Sequence, residues 1–150
     1  KTCVNLTSVV FVLGLLISML VSDLPSNTHG LLQADLTETR VESLCKGCII
    51  TRSTLLVLSL SRNGMKYVCP DAISNITSLR YLEVSFNNLS DINVRHTHLF
   101  ERLFSTLREI QIISLKSNSL RHIPKNIYFN NNNLRKIDLS FNHISKLPLK

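Results

Sequence analysis

The chain has 150 residues, 17 Lys and Arg against 10 Asp and Glu, a net charge of +7 and no Trp. Charged residues make up 18% and apolar residues 44%, which excludes an intrinsically disordered chain, and four Gly and four Pro exclude collagen and proline-rich linkers. The length fits one domain with a processed segment, and 26 Leu beside 14 Asn is a pairing that plain helical proteins do not favour.

Val9 to Val21 is an uncharged apolar run, VVFVLGLLISMLV. A membrane span needs roughly 20 such residues, so the run suits the centre of a secretory signal, with Lys1 as the n-region cation. Small residues at Ser22, Ser26 and Gly30 are candidate cleavage positions, and residues 1–30 are excluded from the fold as a signal peptide. The sequence starts at Lys1 without Met and reads as a fragment. Asn75-Ile76-Thr77 and Asn88-Leu89-Ser90 are N-x-[ST] acceptors that fit export to an oxidising compartment and predict exposed, glycosylated Asn75 and Asn88.

Next comes Cys45-Lys46-Gly47-Cys48, with a further Cys69, while Cys3 leaves with the signal. A redox pair would stand beside a βαβ pattern, which this sequence lacks. A zinc site needs four ligands, and three Cys with scattered His do not supply a set. His96, His98 and Glu101 make a conceivable metal cluster, but a solvated loop explains them better. No nucleophile elbow, phosphate loop or H-E-x-x-H motif occurs, and the acidic residues show no carboxylate pair, so a non-enzyme without cofactor is expected.

From residue 55 onward four segments align without gaps as L-x-x-L-x-L-x-x-N-x-L. They start at Leu55, Leu79, Ile110 and Leu134, and their asparagines are Asn63, Asn87, Asn118 and Asn142, spaced 24, 31 and 24 residues apart. The central L-x-L alternates as a half-buried strand must, with its Leu side chains inward. The chain then turns, and an Asn there can satisfy backbone groups that no strand ladder reaches. One repeat cannot bury its own apolar face, so stability comes from stacking on neighbours. In the unit that is seven residues too long, Leu99, Phe100, Leu103, Phe104, Leu107 and Ile110 recur at helical spacing and predict a short helix on the convex side.

The pattern resembles the leucine-rich repeat. The implied fold is an α/β solenoid, a right-handed coil with a parallel concave β-sheet and an irregular or short-helical convex side. Repeats would occupy 55–150, about four units with the last truncated, and 31–54 would form the N-terminal cap. Extracellular members carry a Cys-clustered cap there, so Cys45, Cys48 and Cys69 are disulfide candidates, with Cys45–Cys69 and Cys48–Cys69 both open. Signal, irregular Cys cap, 24-residue units, one oversized unit and sequons are most similar to the N-terminal part of a Toll-like receptor ectodomain.

Outward strand positions fall in rows across the units and yield binding candidates: Tyr81, Glu83, Phe86, Ile112, Lys116, Lys136, Asp138 and Phe141. A mixed face with aromatic anchors suits a protein or glycan ligand; an equal reading has Phe86 and Phe141 merely covering neighbouring turns. The resemblance implies innate immune recognition at the cell surface, a receptor dimer in the full-length protein, and membrane attachment only through a C-terminal span beyond Lys150. The alternative is a secreted or matrix adhesion protein. Basic residues spread over all units instead of forming a stripe, which disfavours nucleic acid.

Overall fold

The computed structural model describes residues 32–44, 54–69, 72–90, 104–123 and 131–145. Strands β1 (Gln33–Asp35), β3 (Val57–Ser59), β5 (Tyr81–Glu83), β6 (Ile112–Ser114) and β7 (Lys136–Asp138) form one parallel sheet in that order. Two shorter strands, β2 (Ser43–Leu44) and β4 (Tyr67–Val68), make a separate parallel pair. The architecture is a solenoid in which each turn adds one strand to the sheet.

Period-two alternation sets the register. Ala34, Leu58, Leu82, Ile113 and Ile137 are aligned across the five strands. The first four are buried, and Leu36, Leu60, Val84 and Leu115 form a second buried column. Each fully buried Leu or Ile contributes about 2 kcal/mol of transfer free energy. Ile137 and Leu139 are only half-buried against this core, because no described turn lies beyond β7.

The coil runs one turn further toward the N-terminus than the four aligned segments. Residues 31–41 read Leu-Leu-Gln-Ala-Asp-Leu-Thr-Glu-Thr-Arg-Val, the same template with Ala34 for Leu and Thr39 for Asn, 24 residues ahead of Leu55. Thus residues 33–41, which the sequence reading assigned to the cap segment 31–54, supply a sheet strand and a buried Val41. Cys45 and Cys48 lie outside the described residues, and Cys69 is a half-buried free thiol.

After each strand the chain turns through a residue with positive φ: Glu38 (60°), Arg62 (54°), Phe86 (53°), Ser117 (52°) and Phe141 (55°). Non-glycine residues in this region are strained, and the stack compensates locally. The backbone N–H of Glu38, Arg62, Phe86 and Ser117 each donates to the carbonyl of the next turn, Ser61, Ser85, Lys116 and Ser140, at 2.9–3.1 Å. The strained conformation is therefore locked by a bond to the neighbouring turn.

Opposite the sheet the chain returns through tight turns. Ile73, Ile76 and Leu79 are buried at three-residue spacing, with Ile76 N–H donating to Ile73 and Leu79 N–H to Ile76. Phe104, Leu107 and Ile110 repeat that arrangement bond for bond. Of the expected convex helix, only residues 104–105 are helical among the described residues, and Leu99, Phe100 and Leu103 lie outside them.

Candidate ligand-binding face

The asparagines define the edge of the face. Asn63 Nδ2 donates to Leu36 O (2.7 Å), Leu60 O (2.9 Å) and Ser61 O (3.1 Å). Asn87 Nδ2 repeats the set with Leu60, Val84 and Ser85, and Asn142 with Leu115, Leu139 and Ser140. Their Oδ1 atoms accept from Val41 N, Met65 N and Leu120 N at 3.2, 3.0 and 3.0 Å. Asn118 accepts from Leu89 N in the same way. In the first turn Thr39 replaces Asn, and its hydroxyl donates to Leu36 O at 2.7 Å.

With the edge fixed, the outward strand positions form two rows. The first is Gln33, Val57, Tyr81, Ile112, Lys136; the second is Asp35, Ser59, Glu83, Ser114, Asp138, each residue in register with the next. In the second row a local device recurs. Asp35 Oδ1 accepts from Thr37 N and Oγ1 at 2.9 and 2.6 Å, and Asp138 Oδ1 from Ser140 N and Oγ at 3.0 and 2.6 Å. Glu83 Oε1 accepts from Ser85 N at 3.0 Å, and its Oε2 from the Tyr81 phenol at 2.7 Å.

These bonds set the charge states. The Thr37 hydroxyl holds the Asp35 carboxyl below its ordinary value, and the Ser140 hydroxyl does the same for Asp138. At Glu83 burial is the largest single influence and pushes upward, but hydrogen bonds from Ser85, Tyr81 and Ser114 together outweigh it, leaving the carboxyl lowered. The reciprocal effect pushes the Tyr81 phenol up to about 12, chiefly through its bond to Glu83. All three carboxylates are ionised at neutral pH.

Beside the second row runs a charged and aromatic lip. Glu38 pairs with Arg62 at 3.9 Å, a solvent-exposed contact worth little. The Arg62 guanidinium stands 4.6 Å from the Phe86 ring centre, and Lys116 Nζ lies 5.9 Å from Phe86 and 5.3 Å from Phe141. Lys116 reaches both rings because the intervening lip residue is the small Ser117. Phe86 is 43% exposed and Phe141 75%, so cations cover part of each ring and leave the remainder in water.

Of the eight candidates, Tyr81, Glu83, Ile112, Lys136 and Asp138 stand on the sheet face, and Phe86, Lys116 and Phe141 on the lip. Asn75 and Asn88 are both exposed. Sequence reasoning missed Gln33, Asp35 and Glu38, which the first turn adds. Their signal was present in the 24-residue offset, hidden by Ala34 and Thr39. Among the described residues no group of His, Cys, Asp and Glu could hold a metal ion, and no helix is long and apolar enough to cross a membrane. His96, His98 and Glu101 lie outside the described residues.

Stacked L-x-L strands sealed by an asparagine ladder define a leucine-rich repeat protein. The leucine rich repeat family matches residues 35–89, and a second leucine rich repeat family matches residues 130–146. The chain resembles parts of a Toll-like receptor ectodomain: Toll-like receptor 8 of Homo sapiens is 30% identical over 87 residues, covering 58% of this chain and 8% of the receptor. Lumican of Gallus gallus and lumican of Coturnix japonica are each 27% identical over 133 residues, covering 75% of this chain and 38% of theirs. The chain thus spans well under two thirds of the length of these relatives.

Proposed function

We propose that this chain is part of the ligand-recognition ectodomain of a cell-surface pattern-recognition receptor of the Toll-like type, acting in innate immunity by binding and not by catalysis. The observation that carries the reading is the sheet face itself: half-exposed Tyr81 and Ile112 beside ionised Glu83 and Asp138, flanked by the exposed rings of Phe86 and Phe141. Aromatic groups held rigidly beside charges form the type of surface that concentrates binding energy in a few residues. The likeness to Toll-like receptor 8 supports the receptor assignment. In this reading residues 1–30 direct export, Asn75 and Asn88 carry glycans, and the ligand is a protein or glycan.

The longer alignment to lumican favours a second reading, a secreted or matrix adhesion protein. Sequencing the transcript beyond Lys150 separates the two. A membrane span followed by a Toll/interleukin-receptor-type domain supports the receptor; a cap followed by a stop codon supports the adhesion protein. For a receptor, Phe86→Ala with Phe141→Ala should remove the ligand-dependent reporter response while surface expression is unchanged. An unaltered response would refute the role of the lip.

A further inference from the structure

Of the ladder asparagines, Asn63 alone is followed by glycine; Asn87, Asn118 and Asn142 precede Asn88, Ser119 and His143. Asn-Gly is the pair in which a main-chain nitrogen most readily attacks the preceding side-chain amide, because glycine has no Cβ to obstruct the approach. The fold does not need glycine here for room, since no atom lies within 4 Å of where a Cβ would stand. Its φ of 68° is not reserved for glycine either. Arg40 holds the corresponding place in the first turn, 24 residues earlier, at 61°.

In the folded chain Asn63 is held from both sides and is only 6% exposed. Nδ2 donates to Leu60 O and Ser61 O of its own turn, so the amide is bent back over the residues that precede it. Two further bonds reach into the first turn: Nδ2 donates to Leu36 O at 2.7 Å, and Oδ1 accepts from Val41 N at 3.2 Å. From the opposite side Asn87 Oδ1 pins the backbone, accepting from the N–H of Asn63 and of Met65 at 3.1 and 3.0 Å. Cyclisation requires Asn63 Cγ to swing onto the Gly64 nitrogen, which breaks the side-chain bonds. The bonds to Leu36 and Val41 last only while the first turn is docked, and its strand β1 is an edge of the described sheet. Such edges open at a lower free energy than the core.

We propose that Asn63-Gly64 is a self-modification site whose reaction is gated by docking of the first turn. When the turn lifts, the Gly64 nitrogen bonds to Asn63 Cγ and its proton passes to water or hydroxide. The Cγ–Nδ2 bond breaks, and ammonia leaves. Water then opens the cyclic imide at one of its two carbonyls, leaving aspartate or isoaspartate at position 63. The change is one-way. A carboxylate donates nothing to Leu36 O, Leu60 O and Ser61 O, and sets negative charge against those oxygens. The first turn then stays undocked: the sheet face loses Gln33 and Asp35, and β3 becomes an uncovered edge open to pairing with another chain.

The test carries the secreted, glycosylated chain through a urea series at constant neutral pH. Peptide mapping by mass spectrometry reads amide loss at Asn63, with Asn87, Asn118 and Asn142 as internal references. Hydrogen exchange compares the amides of Leu36 and Glu38, bonded to Ser59 O and Ser61 O, with those of Val84 and Leu115, bonded to Ser114 O and Asp138 O. Below the main unfolding transition, loss at Asn63 should rise in step with exchange at Leu36 and Glu38 while Val84 and Leu115 stay protected. Without urea it should be at least about tenfold slower than in the unfolded chain. Leu36→Ala loosens the first turn but keeps that carbonyl, and should speed the loss at least about fivefold with the reference asparagines unchanged. Asn63→Asp should remove protection at Leu36 and Glu38 and leave it at Val84 and Leu115. Equal rates in folded and unfolded chains, loss at Asn63 that ignores exchange at Leu36 and Glu38, or an Asn63→Asp chain with both amides still protected would overturn the proposal. The urea series needs no variant, so it decides the matter even where a substituted chain fails to fold.

Discussion

Asn118 donates its Nδ2 to the carbonyl of Val84, 34 residues earlier in the chain, at 3.1 Å. Asn87 makes the equivalent bond to Leu60 across 27 residues at 3.0 Å. The seven extra residues of the long unit therefore leave the ladder unbroken. Leu82 and Ile113 stay in register, and Phe104, Leu107 and Ile110 still occupy the places of Ile73, Ile76 and Leu79. The surplus falls within residues 91–103, which lie outside the described residues.

Replacing Asn118 by Ala should be among the most damaging polar-to-apolar changes in the chain. It removes donors to Val84 O, Leu115 O and Lys116 O and the acceptor for Leu89 N. Buried backbone groups left unmatched cost about 1–3 kcal/mol each, and water can repair those nearest the surface. The expected net loss is about 3 kcal/mol, a fall in Tm of roughly 10 °C by circular dichroism. A fall below about 2 °C would mean that the ladder is replaceable.

Charge insertion distinguishes the inner turns from the last. Leu82 is 2% exposed, with turns on both sides. Leu82→Asp buries a carboxylate without a partner and should abolish folding, read as loss of secretion and of the β signal. Leu139, in the second inward column with Val84 and Leu115 and one residue past its strand, is half-buried. Leu139→Asp should be secreted with a lowered Tm, because its carboxylate reaches water. Equal damage from both would show that the last turn is covered as completely as the inner ones.

Most of the fold was legible because its constraint is periodic. Leu58, Leu82 and Ile113 appear in the sequence as the same letter class at the same offset, and they are aligned in the sheet. The first turn escaped notice because Thr39 performs the local part of the Asn role, bonding Leu36 O through a hydroxyl, and Ala34 fills the place of a Leu. Row membership of the binding candidates was likewise readable from spacing. Side-chain partnerships were not. That Lys116 lies over both Phe86 and Phe141 depends on Ser117 being small, and the Tyr81–Glu83 bond depends on two side chains bending toward each other along one strand.

Asn131 marks a position where the sequence departs from its own pattern. It is 3% exposed and stands where the two preceding units place Ile76 and Leu107, three residues ahead of the Leu or Ile that opens the strand segment. A buried amide there costs more than an alkyl group. Asn131→Leu should raise stability by about 1 kcal/mol, a gain of several degrees in Tm. A lower Tm would show that the amide's bonds are worth more than the burial of a side chain matching Leu107.

The Tyr81–Glu83 pair predicts opposite losses at the two ends of the pH scale. Glu83 has a lowered carboxyl in the folded chain, so its contribution is present above the unfolded value of about 4.3 and is lost as pH falls through the folded value. Tyr81 is raised to about 12, so its contribution is complete below the unfolded value of about 10 and is lost between there and about 12. Phenolate absorbance, taken as the difference between the unaltered chain and Tyr81→Phe, should show one phenol titrating near 12. Glu83→Gln removes the charge that holds the proton and should bring that titration back toward about 10. The same substitution should flatten the acid limb of the stability curve while leaving the neutral region nearly level. A Tyr81 titration near 10 in the unaltered chain would mean that the 2.7 Å bond is not maintained in solution.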